Sequence, residues 1–146
     1  MKLVSIDPAY AKPHAISLFV DGELDYSYNS SDLEEIRTTI RIADEVIIED
    51  QYFSRNISTV IKLAHSTGEL IGLCRLSKVK WTLVPPRTWQ AYFGLYGKKP
   101  TVKPSEWTKL KEHMLIAKCE EFGITTKDVD IAASVLIGLY IIRSGK

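Results

Sequence analysis

The chain has 146 residues, 45% hydrophobic and 25% charged, which suits one domain spanning 1–146 and leaves no room for separate catalytic and binding domains. The net charge of +1 conceals a division: residues 1–50 carry 11 Asp/Glu against 4 Lys/Arg, and residues 73–118 carry 10 Lys/Arg against Glu106 and Glu112. An acidic half beside a basic half points to a polyanion held near a carboxylate site, although a solvated charged face gives the same pattern.

In chain order, Lys2–Ile6 is an apolar strand ending at Asp7-Pro8, and its immediate start after Met1 argues against a secretory leader. Ala15–Val20 and Glu23–Tyr28 flank Asp21-Gly22, a two-residue hairpin signal. Ser31-Asp32-Leu33-Glu34 forms a capping box for a helix to about Ala43, with Leu33, Ile36 and Ile40 as its apolar stripe. Glu45–Ile48 is a β-branched strand that delivers Glu49. Ile57–His65 is amphipathic, with Gly68 as a break or kink before Leu70–Leu76. Lys80–Val84 is a further strand stopped by Pro85-Pro86, with a short helix over Thr88–Phe93.

Gly94–Pro104 has no periodicity and is expected to be a mobile loop. Ser105 is expected to cap a helix to about Phe122, and a last helix runs from about Lys127 to Arg143. The apolar run Ile131–Ile142 has 12 residues, too few to cross a bilayer, so a buried helix is expected. Cys74 and Cys119 show no CxxC spacing and suit reduced core thiols in a cytosolic protein. The order β-β-β-α-β-α-β-α-α predicts an α/β domain with a mixed five-stranded sheet flanked by helices.

Three acids stand at the ends of apolar elements: Asp7 after Leu3–Ile6, Glu49 after Val46–Ile48, and Asp130 before Ile131–Ile142. Carboxylates at a core margin are costly unless paired or bound to a cation. If the first and fourth strands are neighbours, Asp7 and Glu49 share a sheet edge, and the start of the last helix brings Asp130 to them. Clustered carboxylates make sense around Mg²⁺, with Mn²⁺ as a substitute, and two such ions about 4 Å apart promote phosphodiester cleavage. Taken singly, Asp7 also suits a turn, Glu49 a solvated strand end and Asp130 a helix N-cap.

Ser5-Ile6-Asp7-Pro8 followed by a hairpin resembles the opening of the RuvC-type Holliday junction resolvases, members of the RNase H-like superfamily. Val46-Ile47-Ile48-Glu49-Asp50-Gln51-Tyr52-Phe53 resembles that family's second motif, Asn56 and Lys62-Leu63 fall at familiar spacings, and Pro86-Arg87-Thr88-Trp89 resembles a signature of its phage-type members. Asp130 to Tyr140 resembles the closing Asp-x-Ala-Asp-Ala helix. The resemblance covers nearly the whole chain and implies an RNase H-like fold, a Mg²⁺-dependent endonuclease for four-way DNA junctions, a homodimer, and nicks with 5′-phosphate and 3′-hydroxyl ends. A bacterial or phage-infected host cytoplasm is the location it implies. Asp7, Glu49 and Asp130 are the catalytic and metal-ligating residues so implied. The family pattern places a second aspartate at position 133, where this chain has Ala133. Either an aspartate has been replaced there, or the register shifts so that Asp130 is the second acid and Lys127 or Asp128 lies near the first.

The resemblance assigns Tyr52 to the junction centre, where an aromatic ring stacks on an unpaired base, and a half-buried core tyrosine is the alternative. Arg55, Asn56, Lys98, Lys99 and Lys103 are candidate phosphate contacts or solvated groups. Trp81, Trp89 and Trp107 suit packing, and His14, His65 and His113 lack ligand spacing. The helix over 56–67 is the family's dimer face, with Ile57, Val60, Ile61 and Ala64 as its stripe. The rival expectations are another RNase H-like nuclease acting on branched DNA or an RNA–DNA hybrid, and a catalytically impaired DNA-binding relative or mutant.

Overall fold

The first strand, β1 (Lys2–Asp7), lies in the middle of a five-stranded sheet because Leu3, Val4, Ser5 and Ile6 are all buried, leaving neither face for solvent. The structure, a computed structural model, describes residues 1–50, 56–95 and 103–145. The strand order is β3-β2-β1-β4-β5, with β2 (His14–Val20) and β3 (Glu23–Ser30) forming an antiparallel hairpin beside β1. On the other side β4 (Glu45–Glu49) and β5 (Lys80–Val84) run parallel to β1. The hairpin turn has positive φ at both central residues, 51° at Asp21 and 85° at Gly22, the conformation that matches strand twist in a two-residue loop. The mixed sheet anticipated from the sequence is present, with Asp7 and Glu49 ending adjacent parallel strands.

Helix α1 (Leu33–Arg41) is capped by Asp32, whose carboxylate accepts from Glu34 N and Glu35 N, so Asp32 and not Ser31 starts it. Helix α2 (Ile57–Leu76) is one continuous helix of 20 residues through Gly68. The expected break is absent because Ser66, Thr67, Leu70 and Cys74 bury one side on both flanks of the glycine, outweighing its weak propensity of ~1 kcal/mol. Three helices follow β5, as the elements read along the sequence anticipated: α3 (Pro86–Tyr92), α4 (Pro104–Glu121) and α5 (Val129–Ser144). Two of them open with proline in the first turn, where its missing N–H leaves no bond unmade, so α3 begins two residues before Thr88 and Lys103, not Ser105, is the N-cap of α4. Within the segment expected to be a loop, residues 96–102 lie outside the described residues.

Alternation along β1 and β4 sends side chains to opposite faces, giving two cores. Val4, Ile6, Val46 and Ile48 pack with Ile36 and Ile40 of α1 and Leu70 and Cys74 of α2. Leu3 and Ile47 pack on the other face with Trp89 of α3, Cys119 of α4 and the buried run Ala132–Ile141 of α5. Both cysteines are buried and free.

A buried chain of serines joins α5 to the sheet. Ser5 Oγ donates to Ser134 O at 2.6 Å, and Ser134 Oγ donates to Ile131 O at 2.8 Å. With that hydroxyl proton committed, Ser17 Oγ must donate to Ser134 Oγ at 2.6 Å and Ser27 Oγ to Ser17 at 2.8 Å. One helical turn beyond, Gly138 lets the helix backbone press on the sheet: a Cβ there would run into the Phe19 ring and lie 2.8 Å from Ser5 Oγ. These contacts set how far the start of α5 stands from the end of β1.

Candidate active site

Asp7 has the same facing as Leu3 and Ser5, and Glu49 the same as Ile47, so both carboxyls project to the α5 side at the carboxyl ends of β1 and β4. The register pairs Ile6 with Ile48, which makes Asp7 and Glu49 neighbours across the ladder. Asp130, in the first turn of α5, completes a cleft that Lys12, Asp50, Leu63 and Thr67 also line.

Asp7 and Glu49 are both largely shielded from solvent and close enough to act on each other electrostatically. Burial, then the charges of Glu49 and Asp130, raise the Asp7 carboxyl well above the usual range. Burial also pushes Glu49 up to about 7, against the opposing pull of hydrogen bonds from Trp89 and Asp7 and the charge of Lys111. Burial and mutual repulsion thus favour the neutral form of each acid more than water would. Trp89 Nε1 donates to Glu49 Oε2 at 2.7 Å, so this tryptophan, placed by the proline start of α3, packs in the core and also orients an acid.

Asp130 behaves differently. Lys12 Nζ donates to its Oδ2 at 2.9 Å. The N-cap of α5 is Asp128, with Oδ1 accepting from Asp130 N at 2.9 Å and Ile131 N at 3.1 Å. Its Oδ2 accepts from Asn29 at 2.9 Å, so Asp128 is occupied with capping, and Asp130 is left to face the cleft. Ala133 is 7% exposed and belongs to the cluster that contains Trp89, so its methyl packs against the core about one helical turn on from Asp130.

Tyr52, Arg55, Lys98 and Lys99 lie outside the described residues. Asn56 is the N-cap of α2, its Oδ1 accepting from Thr59 N at 3.3 Å, and Lys103 is exposed at the N-cap of α4. Ile57 and Ile61 of α2 are exposed, whereas Val60 and Ala64 are partly buried. Among the residues the sequence did not single out, Lys12, Asp50, Thr67 and the Trp89 donor reach the cleft, and Lys111 acts on Glu49 from α4. A lysine in the loop that follows a strand-end aspartate was the one legible signal. The contributions from α2, α3 and α4 depend on packing between elements distant in sequence.

The chain superimposes on Thermus thermophilus RuvC in complex with Holliday junction substrate with a TM-score of 0.63 at 15% identity, covering 99% of this chain and 97% of that one. The fowlpox virus Holliday junction resolvase gives a TM-score of 0.57 at 20% identity, with 99% of each chain covered. The fold is RNase H-like. The same fowlpox resolvase in complex with substrate Holliday junction DNA matches at 0.57 and 20% identity over 99% of this chain and 98% of that chain. No family model matches the sequence, and no curated protein matches it significantly.

Enzymes of this fold imply a divalent cation, and the chemistry of the donor set bears on the fit. Asp7, Glu49 and Asp130 offer only hard oxygen donors, and a cation would offset their mutual repulsion. Among the described residues no three acidic, His or Cys groups already converge as metal ligands, and Asp130 pairs with the Lys12 ammonium. That ammonium supplies positive charge beside Asp130. The chemistry of this donor set is of the kind that would suit a hard divalent cation such as Mg²⁺ or Mn²⁺.

Proposed function

We propose that this chain is a structure-selective endodeoxyribonuclease that resolves four-way DNA junctions by metal-dependent paired nicking. The observation that carries the reading is the Asp7–Glu49 pair at the ends of adjacent parallel strands, with Asp130 in the same cleft of a resolvase-like fold. Mg²⁺, with Mn²⁺ as a substitute, would be held by Asp7, Glu49 and Asp130, and supplies an activated water and charge for the leaving oxygen. The chain's own residues prepare this site. Trp89 holds the Glu49 carboxylate in one orientation, the serine chain fixes the height of Asp130, and Lys12 and Lys111 supply positive charge around the cleft.

The basic residues of 73–118, Lys103 and Lys111 among them, approach the DNA backbone and make binding sensitive to salt. Paired nicks need two active sites, hence a homodimer, for which the exposed Ile57 and Ile61 of α2 offer an apolar face. A second reading, a DNA-binding relative with impaired catalysis, is favoured by one observation: a buried methyl at Ala133 where the resemblance calls for a carboxylate.

Single-turnover nicking of labelled four-way, flap and RNA–DNA hybrid substrates tests the proposal, with Asp7→Asn as control. The unaltered chain should nick the four-way junction fastest and only with a divalent cation. Asp7→Asn should abolish nicking while keeping junction affinity, and that affinity should fall steeply with salt. A preference for flap or hybrid, or binding that ignores salt, would refute the resolvase reading; binding without any nicking selects the second.

A further inference from the structure

We propose that Lys12 is the resident counter-ion of the metal-free cleft, displaced from Asp130 when a divalent cation binds and then free to meet the scissile phosphate. The inference rests on the nuclease reading for the identity of the phosphate, but its first half concerns the protein alone. Four carboxyls, Asp7, Glu49, Asp50 and Asp130, line one cleft, and Lys12 lines it with them. Its ammonium holds Asp130 at 2.9 Å and also acts on Asp7 and Asp128.

The loop between β1 and β2 is shaped to put it there. Ala9 N–H donates to Nδ1 of the buried His14 at 3.0 Å, which ties the two ends of the loop together. Ala11, immediately before the lysine, has φ 62°, a left-handed conformation that is unfavourable for a residue with a Cβ. A strained backbone held by a buried histidine aims the side chain across the cleft, and it persists only where surrounding structure enforces it. Lys12 is nevertheless 57% exposed, and an ion pair so exposed is weak. A divalent cation with several oxygen ligands outcompetes it. A lysine's compact charge on a flexible stem can then swing to a nearby oxyanion without leaving the cleft mouth.

The test is a Mn²⁺ titration of the full chain without DNA, comparing the unaltered protein with Lys12→Met, which keeps the stem and drops the charge, and with Lys12→Arg. Calorimetry gives the affinity, and the fluorescence of Trp89, bonded to Glu49, reports events at the cleft. Lys12→Met should bind Mn²⁺ roughly two- to fivefold more tightly, the expected gain from removing a weak exposed competitor. Lys12→Arg should retain the weaker binding of the unaltered chain. At saturating Mn²⁺, Lys12→Met should nick the four-way junction at least tenfold more slowly, with junction affinity nearly unchanged. Equal or weaker Mn²⁺ binding by Lys12→Met overturns the counter-ion role, as does no binding by any of the three proteins. An unchanged nicking rate overturns the phosphate contact. Tighter Mn²⁺ binding in a protein that cuts no junction at all leaves the counter-ion role standing and removes the nuclease reading instead.

Discussion

Replacing Glu49 by glutamine should make the metal-free protein more stable at pH 8 while changing little at pH 5. Glu49 has an ordinary value of 4.5 and is pushed up to about 7 in the folded chain, first by burial. Its folded value is therefore above its unfolded value, so the stabilisation from the protonated carboxyl is fully present below pH 4.5 and is lost as pH rises through about 7. At about 1.4 kcal/mol per pH unit, the interval from 4.5 to about 7 amounts to about 3 kcal/mol. Between about 2 and 3 kcal/mol of this falls between pH 5 and pH 8. Glutamine has a similar shape, keeps an acceptor for Trp89 and never ionises. It also removes a negative charge that raises Asp7, which adds to the effect in the same direction. Urea denaturation of both proteins at the two pH values, with chelator present, measures it. The difference in unfolding free energy between Glu49→Gln and the parent should grow by at least ~2 kcal/mol from pH 5 to pH 8. Saturating Mn²⁺ at pH 8 should shrink the advantage, because the cation supports the ionised acid of the parent. A pH-independent difference would refute the raised pKa of Glu49.

Trp89→Phe removes the donor from Glu49 Oε2 and should raise the Glu49 pKa above about 7, read from its carboxyl carbon resonance by NMR. Gly138→Ala should cost about 1–3 kcal/mol in denaturant unfolding despite alanine's better helix propensity, since the new methyl meets Phe19 and Ser5 at the helix–sheet contact. Ala133→Asp places a carboxylate at a site now 7% exposed, so it should destabilise the protein in chelator by about 2 kcal/mol or more and recover that loss in Mn²⁺. The same variant should raise single-turnover junction nicking by roughly 100-fold, about 2.7 kcal/mol in barrier; no gain in either measurement removes position 133 from the site.

Local pattern was enough for the strands and for which acids stand at element ends. Val46-Ile47-Ile48-Glu49 is strand by β-branching and presents its acid where the apolar run stops, and Asp21-Gly22 states its turn outright. These are properties of neighbours in sequence, and so the α/β class, the hairpin and the candidacy of Asp7, Glu49 and Asp130 were legible. Boundaries shifted where two local signals competed: Asp32 over Ser31 at α1, proline over serine at α4, and burial over the glycine at position 68 in α2. The sequence alone could not decide which acids act and which merely cap. Asp128 and Asp130 are two residues apart, yet Asn29 and the helix N–H groups engage the first, while the second faces Asp7 and Lys12. Nor does any local pattern announce that Trp89 reaches Glu49 or that Lys111 acts on it from α4. Those relations exist only once the α5 serine docks on β1 and β2 and the parallel ladder sets Asp7 beside Glu49. Desolvation and Coulomb coupling depend on distance through space, and here that distance is set by packing between elements up to 129 residues apart in the chain.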